Sequence, residues 1–156
     1  MNVHHIFLWL DHSGLANVIR SSTWAFAALE VVHLLGLTLL LGSIAVLDLR
    51  LLGVGLKDQT VTEIALDTSP WTMIGLGTVT VTGIIMAVAE ANRLYDSGPF
   101  LIKMVLFVLA VTLTFTFHRG VTKSPPPSAG AALRGGIVSL LLWFGVGFAG
   151  RAIAFF

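Results

Sequence analysis

The chain has 156 residues, 56% of them hydrophobic and only 11% charged, against about 25% charged in a soluble domain, so it reads as a membrane protein with little soluble mass. A formal net charge of +1 with no basic stripe leaves no electrostatic footprint for nucleic acid. With no cysteine at all, disulfides, iron–sulfur clusters, thiolate metal sites and covalent c-type haem are excluded, and any metal or cofactor must rely on His, Met, carboxylate or noncovalent packing.

In chain order, the opening MNVHHIFLWLDHSGLANVIR lacks a basic start, and IFLWL is too short for the apolar core of a cleaved signal peptide. The stretch predicts a short amphipathic helix at the membrane interface, with Phe7, Trp9 and Leu10 facing lipid. His4, His5 and His12 could hold copper or zinc there. Solvated interfacial histidines are the competing reading, since the spacing supplies no further ligands.

Four spans follow, over 22–48, 71–92, 100–118 and 137–155. The first contains WAFAALEVVHLLGLTLLLGSIAVLDLRLLG, apolar throughout its middle except for Glu30 and His33. These stand three apart and so share one helix face. A polar connection comes next, with a short helix expected from Val61 and Thr60 or Thr62 as its cap. Pro70 and Trp71 are expected to open the second span, because proline suits a first helical turn. RLYDSGP reads as a turn, and the Pro-rich RGVTKSPPPSAGAALRGG as a loop before the last span. TVTVTG and VTLTFTF alternate like strands, but a membrane barrel needs such alternation in every segment of about ten residues. The expected fold is therefore all-α: one transmembrane domain over 1–156, a four-helix bundle with an interfacial N-terminal helix. Glycines at 75–77 and 145–150 could let helices approach closely, within a subunit or between copies of a homo-oligomer.

The basic residues Arg50, Lys57, Arg119, Lys123 and Arg134 gather on the 1–2 and 3–4 connections. Positive-inside counting then puts both termini on the periplasmic side of a bacterial inner membrane. Taking that side as the surface, Glu30 lies about 9 Å and His33 about 14 Å in, at 1.5 Å of rise per residue. Glu90, Lys103 and Arg151 fall within about 6 Å of the same surface. Ionisable groups from four helices are thus expected to converge around His33. Asp48, Arg50, His118 and Arg119 form a second group at the other surface, where snorkelling anchors are the simpler reading.

Three chemistries compete for the outer cluster. In a haem b site, His33 would be the axial ligand, with Glu30 beside it and Lys103 or Arg151 pairing the propionates. Met86 would be a possible sixth ligand, and Gly36, Gly42 and Gly83 would let the flat ring approach. His118 lies about 27 Å along the third span, more than 10 Å deeper than His33, which argues against the two sharing an iron. In a proton or metal path, Glu30, His33 and Glu90 would relay, with Thr38, Thr80 and Thr112 the polar groups between the two ends. The third chemistry is structural, two ion pairs and a satisfied histidine fixing helix register.

The segments ALEVVHLLGLTLLLGSIAVLDLRLLG, PFLIKMVLFVLAVTLTFTFHRG and LLWFGVGFAGRAIAF resemble an uncharacterised family of small bacterial four-helix membrane proteins. More distantly, His33-x-x-Gly36 and the glycine after it are similar to the copper-resistance protein D family and to membrane haem-b protoporphyrinogen oxidases. The latter resemblance implies functional positions at His33, Lys103 and His118. The pattern after the first span is only partly echoed by LDLRLL, and the copper family's Met- or His-rich features are sparse. The functional expectation is a b-type haem protein for electron transfer or redox chemistry at the periplasmic face, with a periplasmic redox or metal-binding partner possible. The alternatives are a proton- or copper-handling transporter component and a membrane anchor for such a partner.

Overall fold

The computed structural model describes residues 3–56, 58–121 and 128–153, excepting the side chains of Val3, His4, Ile6, His118, Arg119 and Val121. Among these residues there is no strand, and seven helices follow one another: α1 (Val3–Asp11), α2 (Gly14–Ser21), α3 (Ala25–Leu51), α4 (Val61–Ala89), α5 (Ala91–Tyr95), α6 (Gly98–Val121) and α7 (Ala129–Ala152). Four of them, α3, α4, α6 and α7, are long and apolar enough to cross a membrane. They alternate in direction. The near end of the bundle is where α3 begins and α4 ends, and the far end is where α3 ends and α4 begins.

The alternating threonines sit in helices, where Thr78, Thr82, Thr112, Thr114 and Thr116 bond back along their own helix. Thr78, Thr112, Thr114 and Thr116 donate to the carbonyls of Ile74, Val108, Ala110 and Thr112, four residues earlier, at 2.8–2.9 Å. In lipid that internal partner removes the cost of an unpaired hydroxyl. The apolar alternation then has no sheet to serve.

Helix boundaries depart from the sequence reading in two places. α4 starts at Val61, with Pro70 inside it rather than at its head. Thr60 caps the helix: its hydroxyl accepts from the Glu63 amide at 3.2 Å, and the Glu63 carboxylate accepts from the Thr60 amide at 2.7 Å. That box starts the helix ten residues before the proline. Pro70 can supply no amide to Leu66, and both residues are exposed, so the loss falls on the outer surface of the helix. α7 likewise begins at Ala129, directly behind its N-cap Ser128, instead of at Ile137. The prolines that shape the preceding loop, Pro125 to Pro127, lie outside the described residues.

The N-terminal segment also folds differently from a single helix lying in lipid. It breaks at His12–Ser13, where the Ser13 hydroxyl caps α2 by accepting from the Ala16 amide at 3.2 Å. Ala16 and Ile19 are buried, on the face where α2 meets α4. Phe7 turns inward onto the Tyr95 ring of α5, with centroids 5.5 Å apart, while Trp9 stays 73% exposed. RLYDSGP, read as a turn, contains the end of α5.

The core is a row of interlocked helix pairs. α3 lies along α4, α6 along α7, and α3 also meets α7. Leu40, Ile44, Val79, Ala110, Trp143 and Val146 fill the centre. Trp143 is 2% exposed; its indole N–H donates to the Thr114 hydroxyl at 3.0 Å and its ring stands edge-on to Phe107. A second cluster of Leu47, Leu51, Ile64 and Ala65 closes the far end.

The tightest approach is between α3 and α4. A Cβ at Gly75 would stand 2.7 Å from the Leu40 amide nitrogen and 2.9 Å from its Cα, backbone that cannot turn aside. A Cβ at Gly36 would meet Thr78 at 2.7 Å. Gly77 has nothing within 4 Å. Gly75→Ala should therefore force α3 and α4 apart and cost about 1–3 kcal/mol. Gly77→Ala should be neutral or gain up to about 1 kcal/mol from helix propensity. Thermal unfolding of both variants in one detergent checks the difference; equal midpoints would contradict it.

Candidate functional site

The register set at Gly36 and Gly75 decides what His33 meets. Along the α3–α4 seam, Leu40 sits on Gly75, Gly36 on Thr78 and Val79, and Ser43 on Thr72. One turn toward the near end, the same register sets His33 on Thr82 and Gly83. The His33 Nδ1 lies 2.8 Å from the Thr82 Oγ1. A Cβ at Gly83 would stand 3.3 Å from the His33 Cε1, so the imidazole lies directly on the α4 backbone.

Counting protons assigns the tautomer. The Thr82 hydroxyl has one proton, and its 2.6 Å contact with the Thr78 carbonyl consumes it. Thr82 Oγ1 must then accept, so His33 Nδ1–H donates. Nε2 is left with its lone pair, the state in which an imidazole binds a metal or takes up a proton.

Lys103 on α6 reaches the same level from the other side of the bundle. Its amine packs against α7, where a Cβ at Gly150 would meet Nζ at 3.3 Å. Lys103 and Glu30 both lie close enough to His33 to act on it electrostatically. Glu30 is exposed, one turn nearer the membrane surface than His33. The structure thus sets Thr82 against His33, a partner that spacing alone had not singled out, with Glu30 one turn away on α3 and Lys103 within electrostatic range. A hydroxyl next to a glycine, at matched depth on the adjacent antiparallel helix, was the signal available for it.

The other expected members are placed as follows. Glu90 caps the end of α4 and pairs with Arg93 of α5 at 3.5 Å. Arg151 is exposed, one residue beyond Gly150. Met86 is half-buried, one turn past Gly83. The His118 side chain lies outside the described residues, though its backbone is in the last turn of α6, at the far end. The recesses at Gly36 and Gly83, read from sequence as room for a macrocycle, are filled by Thr78 and by His33 itself. Gly42 has nothing within 4 Å. Thr38 and Thr112 are exposed and bond the carbonyls of their own helices, so they do not link the two ends.

Residues 6–156 match DUF6644, a family of unknown function. The chain belongs to the DUF6644 family. No curated protein and no solved structure matches it. In this DUF6644 chain no group of three or more His, Cys, Asp or Glu side chains converges among the described residues. His5 and His12 are exposed, and the side chain of His4 lies outside the described set.

Above His33, the near end is tied together by Arg20. Its guanidinium donates to the Asp11 carboxylate at 2.7 Å, to the Asp11 backbone carbonyl, and to the Ala89 carbonyl at the end of α4 at 3.3 Å. The Arg20 hydrogen bond, helped by the Asn92 backbone amide, holds the Asp11 carboxyl below its ordinary value of 3.8. A lowered value means that the clamp is complete above about pH 4 and is lost as pH falls through the lower folded value. A nitroxide label at position 9 should therefore gain mobility on acidification below about pH 4. In Asp11→Asn it should be mobile at every pH. Equal mobility of the wild type and Asp11→Asn at pH 6 would contradict the clamp.

Proposed function

We propose that this protein is a membrane-embedded b-type haem protein, working in electron transfer or redox chemistry at the near end of its bundle. The single observation carrying the reading is the His33 imidazole, whose Nδ1–H is committed to Thr82 and whose Nε2 is free, at the level of a buried-side cation. Histidines that ligate metals generally hold their second nitrogen in such a bond, which fixes the ring and raises its basicity.

The donors fit the cofactor, although the glycine recesses do not offer it a flat bed. His33 would give the axial nitrogen, Lys103 the charge for a propionate, and Glu30 an acceptor for a proton accompanying the electron. Arg151 lies near enough to the membrane surface to meet a second propionate, and Met86 is the candidate sixth ligand. A haem b, when bound, would supply one-electron transfer at its iron. The distant likeness to the haem-b oxidases and to the copper-resistance protein D family supports the reading by analogy only. Its counterpart at His118 belongs to the far end and has no part in the proposal.

On charge counting the near end is periplasmic and the membrane is a bacterial inner membrane, so the redox partner would be periplasmic. A homo-oligomer is compatible with the open glycines Gly42, Gly77 and Gly147, which face nothing within 4 Å. A second reading is a proton- or copper-handling component of a transporter. It is favoured by the packing of His33 and Lys103 straight into the glycine recesses, which sets acid–base groups against one another with no ring between.

Purified wild type should be coloured, with a Soret band and sharper visible bands after reduction, and His33→Ala should be colourless. Thr82→Val keeps the ligand but removes its support, so haem affinity should fall about 10–100-fold. A colourless wild type would end the haem reading. Flux in liposomes that is lost in Glu30→Gln would then favour the transporter, and co-purification without either property an anchor.

A further inference from the structure

Asp48 lies one turn before the end of α3, about 5 Å along the helix axis from Leu51, at the opposite end of the bundle from His33. Sequence alone suggested a surface anchor there. Instead the side chain is 2% exposed, and one of its two carboxyl oxygens, Oδ2, has no hydrogen-bond partner among the described residues. The group is enclosed between α3 and α7. Ser139 of α7, itself buried, lies within reach of it as a hydrogen-bond donor. Gly136, one turn earlier on α7, brings that helix against the Asp48 backbone: a Cβ there would stand 3.2 Å from the Asp48 carbonyl oxygen and from the Leu51 Cβ.

Neighbouring charges are committed elsewhere. On α3, Arg50 turns back to the Gln59 carbonyl at 2.9 Å. On α7, Arg134 donates to the Gly130 carbonyl at 3.3 Å. On α4, Glu63 is held in the capping box, and Asp67 is exposed. The side chains of His118 and Arg119 on α6, and Lys57 and Lys123 in the connections, lie outside the described residues. Among the described residues no cation pairs with Asp48.

An ionised carboxylate placed so would have no counter-charge among the described residues and would leave Oδ2 without a donor there, and a buried group in that position neutralises rather than bear the desolvation cost. A neutral acid needs no cation and can share one hydrogen bond with a serine. We propose that Asp48 is a proton-binding site, whose carboxyl carries a proton while α3 and α7 are packed. Its ligand is the proton alone. It stands independently of any cofactor at His33, since it uses different residues at the other surface.

The infrared spectrum of the wild type at neutral pH, minus that of Asp48→Asn, should contain the C=O stretch of a protonated carboxylic acid, shifted in frequency by Ser139→Ala. A difference showing only carboxylate bands would overturn the proposal. A second measurement needs no variant to fold. Dicyclohexylcarbodiimide, an apolar reagent, adds to a protonated carboxyl and stays on the chain as an N-acylurea. Peptide mass spectrometry of labelled wild type should find Asp48 modified several-fold more than Asp67, with labelling falling as pH is raised. Asp48 modified no more than Asp67 would count against it.

Discussion

The missing side chain at Gly75 governs this bundle. With no Cβ there, the α4 backbone rests on the Leu40 amide and the Gly36 carbonyl of α3. In lipid, where apolar contact between helices gives no advantage over contact with acyl chains, such close approach and the packing it permits drive helix association. It also leaves little freedom to slide. A shift of α4 by one turn would replace Gly75 opposite Leu40 with Thr72 or Val79, whose side chains have no room against that backbone. The register is thereby pinned, and each polar group on α3 is given a fixed partner on α4.

Two kinds of polar group follow from that pinning. Most are satisfied locally. The threonine hydroxyls bond carbonyls on their own helices, Ser43 and Thr72 bond each other at 3.0 Å, and the Trp143 indole finds Thr114. These groups make the interior specific without adding chemistry. His33 and Asp48 are different, because each keeps an atom to spare: a nitrogen lone pair in one, an orphaned oxygen in the other. They stand at opposite ends of α3, about 22 Å apart along its axis. Unspent capacity of this kind inside a membrane is costly, and function is the usual reason for it.

The seams around the two sites differ. His33 lies against α4 at Thr82 and Gly83, with the Lys103 cation of α6 within electrostatic range. Asp48 faces α7 through one serine and a glycine contact. Ser43 and Thr72 lie between them, but His33 is ten residues, or about 15 Å, from Ser43. That gap is too long for direct proton transfer between side chains, and the two ends are chemically separate sites in one frame.

The sequence by itself determined the class of the molecule. Four apolar runs of spanning length, low charge and absent cysteine leave an all-helical membrane bundle, because lipid tolerates no unpaired backbone. The same patterns marked Glu30, His33 and Lys103 as ionisable groups in the outer part of the bundle. The Thr60 cap and a helix start at Val61 were legible too; what the proline signal hid is that this helix runs on through Pro70, whose missing amide falls on an exposed face. What only the tertiary structure decided was orientation about each helix axis. Hydropathy in a span is nearly uniform around the helix, so it could not say that Asp48 turns inward to Ser139 while Arg151 is exposed. Nor could it say that Thr82, among so many threonines, is the one that fixes the His33 tautomer. Those choices depend on which small residues meet, and that is a property of two chains of atoms in contact rather than of either one alone.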